Sequence, residues 1–334
     1  MPTEVAFSIS VYAMTNQGMV RPGNEDNFLV LNLSTADTWT PDSFTVDPPE
    51  HLTTFNQGHY GSLLAVTDGM GGALAGEVAS SFAVECVRDR MLELQASPTY
   101  AKIPFHERLR LAVELANLYI FQKSSKHTEY AGMGATFTAA GLNGTTAYFA
   151  QVGDSRAYLI RDGHIRLITR DQSLVGQLVE AGHITEEEAE RHTYKNVILQ
   201  ALGASPRINV VVDRVPLRNL DTIIMCSDGL SNKVRGEELK EIVDQAPTLK
   251  EACEQMIKLA NERGGEDNIT VLVAQVGGGK LEAQAQDPAS TAPLAVGPAG
   301  ERWGAETIPR DPGIPEDVSL DLVDDAEETL PPHS

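Results

Sequence analysis

Acidic residues set against glycine or asparagine recur at five places in this chain. They are Arg21-Pro22-Gly23-Asn24-Glu25-Asp26, Thr67-Asp68-Gly69-Met70-Gly71-Gly72, Gly153-Asp154-Ser155-Arg156, Ser227-Asp228-Gly229-Leu230 and Gly265-Glu266-Asp267-Asn268. The Asp68 and Asp228 segments each follow an apolar run, residues 63–67 (LLAVT) and 223–227 (IIMCS). An aspartate at the end of a buried strand is partly desolvated, which disfavours its charged form, and several converging aspartates repel one another. A divalent cation relieves both penalties, because it becomes the largest local charge. The candidate donors are all oxygen, with no cysteine or histidine at ligand spacing, so a hard ion is expected, Mg²⁺ or Mn²⁺ rather than Zn²⁺. One Asp-Gly pair is most often only a turn. It is the whole set, with strands in front, that points to a cation site.

Strands are expected where apolar residues alternate or run together, at 6–13, 27–33, 62–67, 135–141, 145–152, 156–160, 209–215, 222–226 and 269–276. Asn143-Gly144 and Asp162-Gly163 are turn pairs of the kind that close antiparallel hairpins. Helical spacing appears at Val78, Phe82 and Cys86, then after Pro104 at Leu109, Ala112, Val113, Ala116, Tyr119 and Ile120, and again at Leu249, Ala252, Met256 and Ala260. Antiparallel strand runs with paired helices exclude a strict βαβ repeat and suggest sheets packed face to face under helix pairs.

Residues 34–60 are polar, hold three prolines and show no sustained period, so a long loop or insertion is expected there. Residues 277–334 open on three glycines and continue through alanine, proline and acids, which reads as a disordered acidic tail. That stretch holds 12 acidic and 3 basic residues, a net charge of -9, and leaves about -12 of the total -21 for the body. An acidic body repels phosphate backbones, which argues against nucleic acid or an anionic membrane as the main partner. At 42% hydrophobic the chain has material for a packed core, and no segment approaches the ~20 apolar residues of a membrane span. Cys86, Cys226 and Cys253 are odd in number and far apart, as in reduced core thiols of a cytoplasmic protein. The first residues, MPTEVAFSIS, show no basic stretch before an apolar run, so no signal peptide is expected.

The signatures RPGNED, TDGMGG, GDSRAY, SDGL and EDNITVLV, in this order over roughly residues 7–276, resemble those of the bacterial metal-dependent protein phosphatases of the type-2C class, the PPM family. The resemblance implies an α+β fold, an αββα sandwich of two antiparallel sheets flanked by helix pairs, with the phosphatase domain at 1–276. It also implies hydrolysis of phosphoserine and phosphothreonine on proteins by attack of a hydroxide bridging two Mn²⁺ or Mg²⁺ ions. By resemblance Asp68 would bridge the metals and the carbonyl of Gly69 would ligate one of them. A glycine suits that approach of backbone to ion. Asp228 and Asp267 would complete the first site, and Asp154 with Asp228 would hold a weaker third ion. Glu25 and Asp26 would hold metal-bound waters, Arg21 would grip the substrate phosphate, and Asn268 would support the loop carrying Asp267. Lysine would do the work of Arg21 less well, because it lacks the fork of donors.

Eukaryotic relatives often carry a histidine where this chain has Met70, so the proton for the leaving oxygen is assigned to a metal-bound water and to no side chain. The stretch 171–203 resembles the family's flap, and it reads as two helical pieces broken at Gly182. His183 and His192 within it read as surface residues. No Cys-x5-Arg loop exists, which excludes the thiol mechanism of tyrosine phosphatases, and the glycines near 134 and 277 lack the spacing of a nucleotide loop. Expected partners are phosphorylated Ser/Thr proteins, including by resemblance a Hanks-type kinase, and a monomer is expected. Two other readings keep the fold: a non-catalytic pseudophosphatase, which should lack ligand aspartates, and a partner-specific phosphatase of the anti-sigma antagonist type.

Overall fold

The computed structural model describes residues 7–41, 48–71, 73–279 and 281, with the backbone of 306–307. The first strands are β1 (Ser8–Asn16), β2 (Asp26–Asn32), β3 (Asp37–Trp39), β4 (Thr54–Asn56) and β5 (Ser62–Met70). The middle strands are β6 (Gly134–Ala135), β7 (Phe137–Asn143), β8 (Thr146–Val152), β9 (Arg156–Arg161) and β10 (His164–Leu167). The last are β11 (Val211–Pro216), β12 (Thr222–Cys226), β13 (Ile269–Gly277) and β14 (Glu306–Thr307). The helices are α1 (Glu50–Thr53), α2 (Ala73–Ala96), α3 (Phe105–Lys126), α4 (Leu174–Glu180), α5 (Glu186–Glu190), α6 (Asp228–Ser231), α7 (Gly236–Gln245) and α8 (Leu249–Glu262).

One sheet runs β10-β9-β12-β13-β1-β4 and the other β14-β11-β8-β7-β5-β2-β3, with β6 paired to β5. The pairings are antiparallel. Successive side chains of a strand point to opposite faces, and here both faces are covered. On β5, Leu64 and Val66 join Phe28, Phe149, Leu272 and Ala274 in a core between the sheets, while Leu63 and Ala65 join Phe82, Val87 and Leu109 beneath α2 and α3. On β13, Ile269, Val271 and Val273 turn the other way, against Leu239 of α7 and Cys253 and Met256 of α8. Three stacked cores therefore make the αββα sandwich expected from the signatures. Strands buried on both sides explain why their sequences read as apolar runs rather than clean alternation.

Both turn pairs close hairpins: Asn143 faces Thr146 across Gly144 (φ 59°), and Asp162 and Gly163 (φ 51° and 76°) join β9 to β10. The flap expectation at 171–203 contains α4 and α5, on either side of Gly182 (φ 71°). Ser173 caps α4, and Thr185 with Glu188 forms a capping box on α5. Some elements differ from the sequence reading. The stretch 34–60 holds β3, α1 and β4, which edge both sheets, although 42–47 lie outside the described residues. Helix α7 was not expected; Leu239, Ile242 and Val243 have helical spacing, but within a short, charge-rich stretch.

The packing also passes residue 276, where the tail was expected to begin. Leu281 is fully buried in the core between the sheets, and Glu306–Thr307 pairs with Arg214–Asp213 of β11. The rest of the expected tail lies outside the described residues. Leu281→Ala should lower stability by about 2–4 kcal/mol, seen as a lower urea midpoint at unchanged m-value. An unchanged midpoint would return the boundary to 276.

Candidate active site

Topology gathers the acidic motifs at one end. Asp26 opens β2 and lies opposite Asp68, near the end of β5, in the ladder. Cys226, at the end of β12, lies opposite Val271 and Arg156, so Asp228, Asp267 and Asp154 all emerge beside the neighbouring strand ends. Two connections cross from one sheet to the other there: the β1–β2 loop, which carries Arg21, and the Gly153–Ser155 turn, which carries Asp154.

Hydrogen bonds fasten these loops to one another. The Asn268 amide donates to the carbonyls of Gln17 and Gly23, both at 2.8 Å, and its Oδ1 accepts from the N–H of Glu25 at 2.8 Å. The Glu25 carbonyl in turn accepts from Gly69 N–H at 3.1 Å. Ser227 Oγ donates to Asp26 Oδ2 at 2.7 Å and accepts from Thr270 N–H at 2.9 Å. Arg21 Nη2 donates to Asp267 Oδ2 at 2.9 Å. A Cβ on Gly69 would lie 2.0 Å from the carbonyl oxygen of Gly76, so the backbone runs against α2 where no side chain fits. The Glu25 carboxylate sits over Gly76, whose own Cβ would come 2.7 Å from Glu25 Cδ.

The electrostatics are those of crowded like charges. Burial, then repulsion from Asp26, Asp228, Asp154 and Asp267, lifts the Asp68 carboxyl well above its ordinary range. Burial pushes Asp26 up to about 7, with Asp228 and Asp267 adding to it and the hydroxyls of Ser227 and Thr270 opposing. Asp154 rises to about 7 through burial, Asp228 and Asp171, against the pull of Arg156. Asp228 rises to about 6 through burial and Asp267, eased by Asn232. Burial also raises Glu25. Oδ1 of Asp26 and Oδ1 of Asp228 are buried with no hydrogen-bond partner. Buried carboxylate oxygens left bare among other carboxylates are costly unless a cation meets them.

Every residue singled out from the signatures therefore lies at this end: Arg21, Glu25, Asp26, Asp68, Gly69, Asp154, Asp228, Asp267 and Asn268. Three supporting residues had no role assigned from sequence. Thr136 Oγ1, in a segment expected only as a strand, accepts from the N–H of Asp68 at 2.9 Å. Ser227 precedes Asp228 in its motif, yet its hydroxyl serves Asp26. Asn232 Nδ2 donates to Asp228 Oδ2 at 3.1 Å, and its spacing four residues on along a helical turn was a usable signal. The exposed His183 and partly exposed His192 remain on the flap, where His192 Nδ1 accepts from Tyr194 N–H at 3.2 Å.

A two-sheet sandwich with carboxylates converging at one end between the sheets is the class of metal-dependent protein phosphatases. The family model for protein phosphatase 2C matches residues 51–273. A serine/threonine phosphatase, stp, from Listeria monocytogenes is 39% identical over 213 residues, covering 64% of this chain and 84% of the relative. PstP of Mycobacterium tuberculosis, a serine/threonine protein phosphatase, is 37% identical over 214 residues, 64% of this chain and 40% of PstP. The crystal structure of the PstP catalytic domain with two manganese ions superposes with a TM-score of 0.63 at 31% identity, covering 81% of this chain and 100% of that one. A crystal structure of a bacterial serine phosphatase gives a TM-score of 0.68 at 30% identity, covering 81% and 98%. The chain belongs to the protein phosphatase 2C family and is a protein serine/threonine phosphatase.

The raised carboxyls have a thermodynamic consequence. Asp26, Asp154 and Asp228 bind protons more tightly folded than unfolded, so the stability they permit is full below pH ~4 and is lost as pH rises through about 6–7. In EDTA the melting temperature should therefore fall between pH 5 and 8. Asp228→Asn should raise the EDTA melting temperature at pH 8 by about 2–4 °C. A flat pH profile would show that the carboxylates are not crowded as described.

Proposed function

We propose that the chain hydrolyses phosphoserine and phosphothreonine in proteins with two Mn²⁺ or Mg²⁺ ions held by Asp68, the Gly69 carbonyl, Asp228 and Asp267. The observation that carries this reading is the pair of bare buried carboxylate oxygens, on Asp26 and Asp228, inside a cluster where Asp26, Asp68, Asp154 and Asp228 resist ionisation. Among the described residues no three acidic, histidine or cysteine side chains close into a preformed metal cage. The donor set is all oxygen, so the residues fit the ions.

When bound, such ions would acidify a water for attack on phosphorus and offset phosphoryl charge. The remaining work falls to side chains. Asp68 would help hold both ions, and Asp154 with Asp228 would provide a weaker third position. Glu25 and Asp26 would orient waters, Asp26 being aimed by Ser227 Oγ. Asn268 would hold the Asp267 loop against residues 17–25, through its bonds to Gln17, Gly23 and Glu25. Arg21 is about half exposed and paired with Asp267, so its free donors can orient a phosphoryl group arriving from solvent. With Met70 following Gly69, no side chain is assigned to protonate the leaving oxygen, and a water takes that part.

The partners proposed are phosphorylated Ser/Thr proteins, a Hanks-type kinase among them, met by a monomer in the cytoplasm. No helix among the described residues is long and apolar enough to cross a membrane. The flap at 171–203 is proposed to gate phosphoprotein substrates. A phosphothreonine peptide should be hydrolysed with MnCl₂ and not with EDTA, and Asp228→Asn should fall to background. Arg21→Ala should cost about 10²-fold in kcat/KM, with Arg21→Lys recovering only part. Turnover that survives EDTA would sink the reading.

A further inference from the structure

The two most exposed large apolar side chains among the described residues are neighbours: Met19, 70% exposed, and Val20, 65%. They immediately precede Arg21. Single exposed apolar residues need no explanation, whereas a contiguous patch beside a functional site does. Met19 is held in place. Its N–H donates to the Gly265 carbonyl at 2.7 Å, and a Cβ on Gly265 would come 2.8 Å from Met19 Cγ. The methionine thus lies over the loop that leads into Asp267. It lines an open groove of about 520 Å³ with Met14 and Ile257, and Glu254, Lys258 and Glu262 are on its rim.

We propose that this groove receives an apolar side chain of the phosphoprotein substrate, two or three residues from the phosphorylated serine or threonine. The inference rests on the phosphatase reading above. A polypeptide whose phosphate is gripped by Arg21 must carry its main chain out of the site past the neighbouring surface. Two residues of extended substrate chain span about 7 Å, and Met19 both precedes Arg21 by two residues and bonds Gly265, two residues before Asp267, the partner of Arg21. A substrate residue that far from the phosphoresidue is within reach of the Met19 surface. A flexible thioether adapts to differing side chains, which suits a site that accepts several apolar types. The rim also favours a polypeptide over an anionic lipid surface. Glu254 and Glu262 stand in loose, exposed pairs with Lys250 and Lys258 (3.9 and 3.8 Å), so their charge remains on offer to a basic flanking residue.

The test uses the full chain with MnCl₂ and phosphothreonine peptides of one background, with leucine placed in turn at each position from three before to three after the phosphoresidue and glycine elsewhere. Leucine at one position two or three residues away should raise kcat/KM roughly 10-fold over the all-glycine peptide. Met19→Ser should bring that ratio toward one. Met19 is so exposed that its replacement should leave the melting temperature unchanged, which separates loss of preference from loss of fold. Equal rates on all peptides would overturn the groove assignment and leave the phosphatase reading intact, whereas no turnover of any peptide would overturn both. Sedimentation showing a dimer that Met19→Ser converts to monomer would also overturn it, by making the groove a contact between copies.

Discussion

The mutual repulsion of carboxylates at one desolvated end of the sandwich is the constraint on which the rest of this structure depends. Left alone, Asp26, Asp68, Asp154 and Asp228 would move apart or take up protons, and all four are pushed toward the protonated form. The protein holds them together with rigid surroundings. Three layers of apolar packing fix the strands, and the ladder sets Asp26 opposite Asp68. The strain is a store of affinity: a cation that pairs with these oxygens removes the repulsion and the desolvation together.

Rigid strands alone would not suffice, because the acidic groups come from both sheets. The connection is made by loops that hydrogen-bond across the gap. Ser227, at the end of a strand in one sheet, aims Asp26 in the other. Asn268 ties the approach to β13 to the approach to β2, and the Glu25 carbonyl passes the link on to Gly69. The Arg21–Asp267 pair closes the same seam from outside. A side chain that lies on this seam therefore influences geometry on both sides of it, whether or not it touches substrate. The flap is joined to it as well: Gln172 exchanges hydrogen bonds with the Gly153 backbone, and Arg156 makes a forked pair with Asp171.

Much of the architecture was legible in the residues. Strands buried on both faces carry apolar runs, and the Asn143-Gly144 and Asp162-Gly163 turns closed the hairpins their chemistry requires. What escaped were short edge strands, β3, β4 and β10, whose few residues give no period to detect. Helix α7 escaped because charge on its outer face outweighs a three-residue apolar stripe. Leu281 and the strand at Glu306–Thr307 escaped because their surroundings read as polar and irregular, while their partners are far away in the chain.

The acidic motifs themselves were determined by sequence alone. An aspartate that ends a buried strand needs a glycine after it where backbone must pass close to backbone, as Gly69 passes Gly76. That pairing is local, so it is written in consecutive residues. Which of these aspartates meet, and which neutral groups aim them, was decided only by the tertiary structure. Thr136 beside Asp68, Ser227 beside Asp26 and the bare oxygens of Asp26 and Asp228 depend on strand register and on two sheets stacking face to face. Such contacts join residues up to two hundred positions apart, and no local pattern of residue types encodes them.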